Sequence, residues 1–212
     1  MFDFLQGTLS SLGRKYTMAL TGFLLGVFLL THAAGNSFIF LGKVAFNAYA
    51  EQLHSLGPLV PLAELLLLII FLTHIFIGIR LFLKNQDATG SRYAVKSSSG
   101  GETWGSRTMP WTGLTILAFL FLHLFNVRFV DQTLPIANIV EQTLAHPLYT
   151  LFYLFGITAL TLHISHGFWS LLQTWGVHHP RYNALIRGGA CLLAVLICMV
   201  FIGVVVVLWC GN

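Results

Sequence analysis

Five long apolar runs separated by polar connections set the pattern of this chain, at roughly residues 16–41, 59–83, 109–127, 147–172 and 188–209. Crossing a hydrocarbon layer of ~30 Å takes about 20 helical residues, and each run is close to or beyond that length. A lipid-exposed backbone must close its hydrogen bonds within the segment, so each run is predicted to be a helix rather than a strand. The expected fold is all-α, an integral membrane bundle of five transmembrane helices forming one domain over residues 1–212. Composition agrees: 56% of residues are hydrophobic and 8% charged, and the mean hydropathy is +0.79. Soluble domains carry about 25% charged residues, which excludes that class. The opening Met1-Phe2-Asp3-Phe4 lacks the basic, apolar and small-residue order of a cleaved leader.

Net charge is +4, but its placement says more than its sum. Arg14, Lys15, Arg80, Lys84, Arg92, Lys96, Arg107, Arg181 and Arg187 fall on one side of the predicted bundle, and Lys43 and Arg128 on the other. Lys and Arg concentrate in cytoplasmic connections, so the N-terminus is expected in the cytoplasm and the C-terminus outside. The long connection 85–108 is basic and rich in Gly and Ser; it is either a solvated loop or a docking surface for a cytoplasmic subunit. The outer connection 126–146, with Leu134-Pro135-Ile136, is expected along the membrane surface. His178 and His179, next to Pro180, read as exposed interface residues. Cys191, Cys198 and Cys210 share the last run without metal or disulfide spacing, which points to helix packing.

The chemistry lies in histidines within the apolar runs. His32, His74, His123 and His163 each sit slightly past the middle of one of the first four runs. An ionisable side chain at that depth is costly and calls for a partner. Successive helices alternate in direction, so His32 and His123 belong near the outer side, and His74 and His163 nearer the cytoplasm. Two level pairs suggest two metal centres with two ligands each, on the order of 10–15 Å apart at a rise of 1.5 Å per residue. Two imidazoles fill both axial positions of a haem iron, leaving an electron carrier with no open site for oxygen chemistry. His166, three residues beyond His163 on nearly the same face, is the alternative ligand. Gly78 and Gly167, each four residues past an inner histidine, suggest room for a flat macrocycle; ordinary close helix packing is the competing reading. A haem-free proton or metal transporter, with the histidines as relay groups, and a structural anchor without a redox role are readings from other classes.

His32, then His74-x-x-x-Gly78-Ile79-Arg80, Trp111-Thr112-Gly113 with His123-Leu124, His146-Pro147-Leu148-Tyr149 and His163-x-Ser165-His166-Gly167-Phe168-Trp169-Ser170 occur in a telling order. In that order and spacing the chain resembles the single-chain, five-helix, di-haem cytochrome b subunit of bacterial succinate dehydrogenases and fumarate reductases. The resemblance implies two haems b, with His32 and His123 on the outer and His74 and His163 on the inner, and it favours His163 over His166. It also implies a quinone, usually menaquinone, as substrate. A flavoprotein subunit with covalent FAD and an iron–sulfur subunit are implied on the cytoplasmic face of a bacterial inner membrane, with membrane lipid and no nucleic acid as the other partner. Some fumarate-reducing members carry glutamate two residues before the fourth-helix ligand, where this chain has Thr161; that departure favours succinate oxidation. A cytochrome b subunit of a hydrogenase or formate dehydrogenase is the nearest alternative.

A quinone site needs a proton carrier near the ring oxygens. Glu51, His54 and Glu64 lie together in sequence beyond the first run and are the candidates at the outer end. No dicarboxylate site is expected on this chain, because its arginines lie only at helix ends.

Overall fold

The computed structural model describes residues 10–88, 104–131 and 133–210. Arg92, Lys96 and most of the candidate docking loop lie outside them. The described residues are helical almost throughout and contain no strand. Among the described residues seven α-helices follow one another: α1 Ser11–Asn36, α2 Lys43–His54, α3 Leu59–Ala88, α4 Trp104–His123, α5 Ile136–Ala145, α6 Pro147–Thr174 and α7 Asn183–Cys210. Five of them, α1, α3, α4, α6 and α7, are long and apolar enough to cross a membrane. This is the five-helix membrane bundle that the hydropathy pattern predicts.

Local sequence explains the boundaries. Ser10 caps α1, its hydroxyl accepting from the Gly13 amide at 3.0 Å, which satisfies one of the free N–H groups of the first turn. A 3-10 turn over Ser37–Leu41 prolongs α1, and Gly42, at φ +104°, reverses the chain into α2. That backbone angle strains any residue bearing a Cβ. Pro147 stands at the first position of α6, where a missing N–H costs nothing. α4 begins at Trp104, ahead of the expected residue 109, and runs through Pro110. Hydroxyls on either side support this stretch: Thr108 donates to the Trp104 and Gly105 carbonyls, and Thr112 to those of Thr108 and Met109.

α6 packs against α4, α7 and α1, and α1 also packs on α3 and α7. α3 is the peripheral helix, held mainly by α1. Its chain is apolar on all sides, as suits a helix facing lipid over much of its circumference. A bidentate pair joins α3 to the end of α4: Arg128 Nε and Nη2 reach Glu64 Oε1 and Oε2 at 2.7 and 3.1 Å.

The two short helices cover one end of the bundle. Phe46 of α2 and Ala137, Ile139 and Leu144 of α5 are buried. Asn47 Oδ1 accepts from the Ala137 amide at 2.9 Å, and Lys43 pairs with Glu141. Thr150 ties α6 back to α5 by donating to the Leu144 carbonyl. The connection expected along the membrane surface thus holds a packed helix. The densest core cluster, with Ile39, Phe46, Leu144, Tyr153, Ile157 and Leu208, lies toward this α2/α5 end.

Candidate functional site

Four spans carry the four histidines, and the fold brings their rings together in two pairs. His32 of α1 meets His123 of α4 with ring centroids 6.0 Å apart and planes at 83°. His74 of α3 meets His163 of α6 at 6.4 Å and 67°. The first pair lies toward the α2/α5 end; the second is close to mid-helix in both α3 and α6. Each pair draws on two helices that are not neighbours in the chain, so each can exist only in the folded bundle.

The spacing suits one metal ion between two rings. Metal–imidazole bonds of about 2 Å place the centroids of opposed rings about 6 Å apart. Among the described residues no group of three or more His, Cys, Asp or Glu side chains could hold a metal ion. Two neutral nitrogen donors per centre therefore fit a metal that brings its own equatorial donors, which is the donor set of a bis-imidazole haem.

The surroundings of the pairs differ. His32 stacks on Phe28 at 5.4 Å and lies 5.7 Å from Phe201; His123 stacks on Phe119 at 5.7 Å. The Tyr153 hydroxyl lies 3.5 Å from His123 Nδ1, and Asn36 Nδ2 lies 3.5 Å from His32 Nε2 while donating to the His32 carbonyl at 2.9 Å. A π-helical turn, Leu124–Arg128, follows His123 directly. Such turns are frequent at functional sites. Within it the Asn126 amide nitrogen is buried close to the Tyr153 hydroxyl.

At the second pair, His74 Nδ1 lies 3.1 Å from Thr21 Oγ1, and His163 Nδ1 lies 3.1 Å from Thr112 Oγ1. Both contacts cross from one helix to the next. The sequence reading missed these threonines. His163, not His166, is the ring set against His74. His166 turns to the first turn of α4, where a methyl on Gly105 would fall 2.7 Å from its Nδ1.

The two glycines that follow the inner histidines differ, one packing on a neighbouring helix and one facing open space. Gly78 faces Met18, whose Cε would lie 3.4 Å from an added methyl, so ordinary helix packing accounts for it. A methyl on Gly167 would meet nothing within 4 Å. The glycines that adjoin histidine rings are Gly22, against His74 Cε1 at 3.4 Å, and Gly113, against His163 Cε1 at 3.5 Å.

Of the three quinone-site candidates, Glu51 and His54 lie exposed in the last turn of α2. Glu64 is the carboxylate bound by Arg128. His178 and His179 are exposed in the turn before α7, and Cys198 is buried while Cys191 is exposed. The Cys210 side chain lies outside the described residues. An open apolar groove of about 470 Å³ runs between α4 and α6, lined by Phe121, Phe125, Leu148, Tyr149 and Phe152 among others.

No family model matches the chain, and no solved structure matches it. Among curated proteins it is similar to the succinate dehydrogenase cytochrome b558 subunit of Bacillus subtilis (strain 168). The two are 25% identical over 154 residues, which cover 72% of this chain and 73% of that protein.

Proposed function

We propose that this chain is the membrane anchor and electron-transfer subunit of a succinate:quinone oxidoreductase, working between a cytoplasmic iron–sulfur subunit and membrane quinone. The observation that carries the proposal is the convergence of His32 with His123 and of His74 with His163 at metal-sharing distances in four different helices. Similarity to a succinate dehydrogenase cytochrome subunit over most of the chain supports the choice of complex. Two haems b are the cofactors, His32 and His123 holding the outer and His74 and His163 the inner; when bound, they supply one-electron carriage. The flavoprotein, with its FAD, and the iron–sulfur subunit sit on the cytoplasmic face of the bacterial inner membrane, beside the inner pair, and the quinone is menaquinone.

The chain's own residues supply the setting. Phe28, Phe119 and Phe201 wall the outer pair with apolar surface. The helices α2 and α5 cover that end and shield it from water. Glu51 and His54, exposed on α2, are the proton carriers for an outer quinone site, while Glu64 serves with Arg128 to fasten α3 to α4.

Cells lacking this chain should lose succinate-dependent quinone reduction in their membranes and recover it with the wild-type chain. E51Q or H54Q should restore the haem bands but only about 0.01–1% of the quinone turnover, since a general acid–base group typically contributes 10²–10⁴-fold. Membranes that keep the succinate-driven rate and lose a hydrogen- or formate-driven one would assign the chain to that other class of complex.

A further inference from the structure

Three polar side chains are buried among the described residues, Thr21, Thr112 and Thr150, and two of them contact the rings of the His74/His163 pair. A buried hydroxyl is costly unless it is hydrogen-bonded. Thr21 Oγ1 donates within its own helix, to the Thr17 or Met18 carbonyl at 2.8 or 3.1 Å. Thr112 does the same to Thr108 or Met109, at 3.0 or 3.1 Å. With its one proton committed to a carbonyl, each oxygen faces the imidazole with lone pairs. It therefore accepts from Nδ1–H, which leaves Nε2 unprotonated as the ligating nitrogen.

The arrangement occurs twice in the same register. Thr21-Gly22 precedes His32 by the same eleven residues that separate Thr112-Gly113 from His123. Eleven residues make about three helical turns and ~16 Å of rise, so threonine and histidine share one face at two levels. In each half of the chain, the helix that carries an outer histidine presents an inward threonine to the inner histidine of the next span. The adjoining glycine, Gly22 or Gly113, adds no side chain where the ring rests. A threonine that only closed a bond in its own helix would need neither the repeat nor the glycine.

Taking the haem reading above as its basis, we propose that Thr21 and Thr112 are positioning residues that hold both imidazoles of the inner centre from neighbouring helices. They fix the Nδ1–H tautomers and set that centre's reduction potential. A hydrogen bond from the distal N–H raises the basicity of a ligating imidazole, which favours the oxidised metal and lowers the potential. The outer pair has weaker partners, at 3.5 Å, so its potential does not depend on these threonines.

The test is a potentiometric titration of the purified, haem-loaded full chain, followed at the haem bands, with the inner bands assigned as those absent from H74A. T21V and T112V should each shift the inner centre on the order of tenfold toward the reduced form, a rise of about 59 mV for a one-electron couple. The outer centre should not move, and T21S and T112S, which keep the hydroxyl, should titrate like the wild type. If a valine variant loses the inner haem while the serine variant keeps it, the positioning role also stands. Valine and serine variants that behave alike, or a shift confined to the outer centre, would overturn it while leaving the two-haem reading intact. A wild-type chain without haem overturns that reading first, and this one with it.

Discussion

Alanine at His74 or His163 should leave the protein with one haem, the outer, and alanine at His32 or His123 should leave it with the inner. Stoichiometry is expected to fall from about two per chain to about one in all four variants. Each centre has two protein donors, one from each of two helices, and the metal–imidazole bond is what holds the prosthetic group against water and lipid. Losing a group that merely orients a ligand typically costs 10–100-fold in metal affinity. Losing the ligand itself should cost more. H166A should retain both haems, because His166 packs on Gly105 rather than facing His74. Difference spectra of the five variants check the pairing; any other grouping of losses, or loss of the inner haem in H166A, contradicts it.

G156V should damage the outer centre and spare the inner one. Gly156 of α6 is buried where α6 crosses α4, and a methyl there would lie 2.5 Å from Cγ and Cδ2 of Phe119. Phe119 stacks on His123 and meets the Tyr153 ring edge-on at 5.2 Å. Phe119 lies one turn before His123 on α4, so a shift of its ring reaches His123 directly. Overpacking of this kind costs typically 1–3 kcal/mol. The displaced Phe119 should also lower outer-haem occupancy at least tenfold relative to the inner. G167A is the control: its methyl meets nothing within 4 Å, and replacing a helical glycine stabilises by roughly 0.5–1 kcal/mol. Haem content and melting temperature measured on both variants check this. Equal loss of the two haems in G156V would show that the strain spreads through the bundle instead of stopping at Phe119.

The spans were legible because lipid imposes a length and an apolar composition that few other constraints can imitate. The pairing of histidines followed from depth and chain direction, and the structure places the same rings together. The covering helices were less visible. α2 and α5 are 12 and 10 residues long, and their burial depends on each other through Asn47 and the Lys43–Glu141 pair. The apolar run begins at residue 109, whereas α4 starts at Trp104 and passes through Pro110, since proline is tolerated inside a membrane helix.

Glycine was the least legible residue. Gly78 lies on the ligand's own helix, which made it look like space for a cofactor, yet it faces Met18. Gly22 and Gly113 were hidden because they serve histidines fifty or more positions away, across a helix boundary no periodicity reports. Thr21 and Thr112 were hidden for a related reason. A threonine in an apolar helix normally bonds the carbonyl one turn back, and only the repeated eleven-residue spacing to His32 and His123 distinguishes these two.

On the proposed reading one chain holds two bis-histidine haems b. A reduced-minus-oxidised spectrum with haem quantification on the purified full-length chain tests it most directly. Sharp low-spin b-type bands and about two haems per chain are expected. A colourless chain that still folds as a helical membrane protein would contradict it.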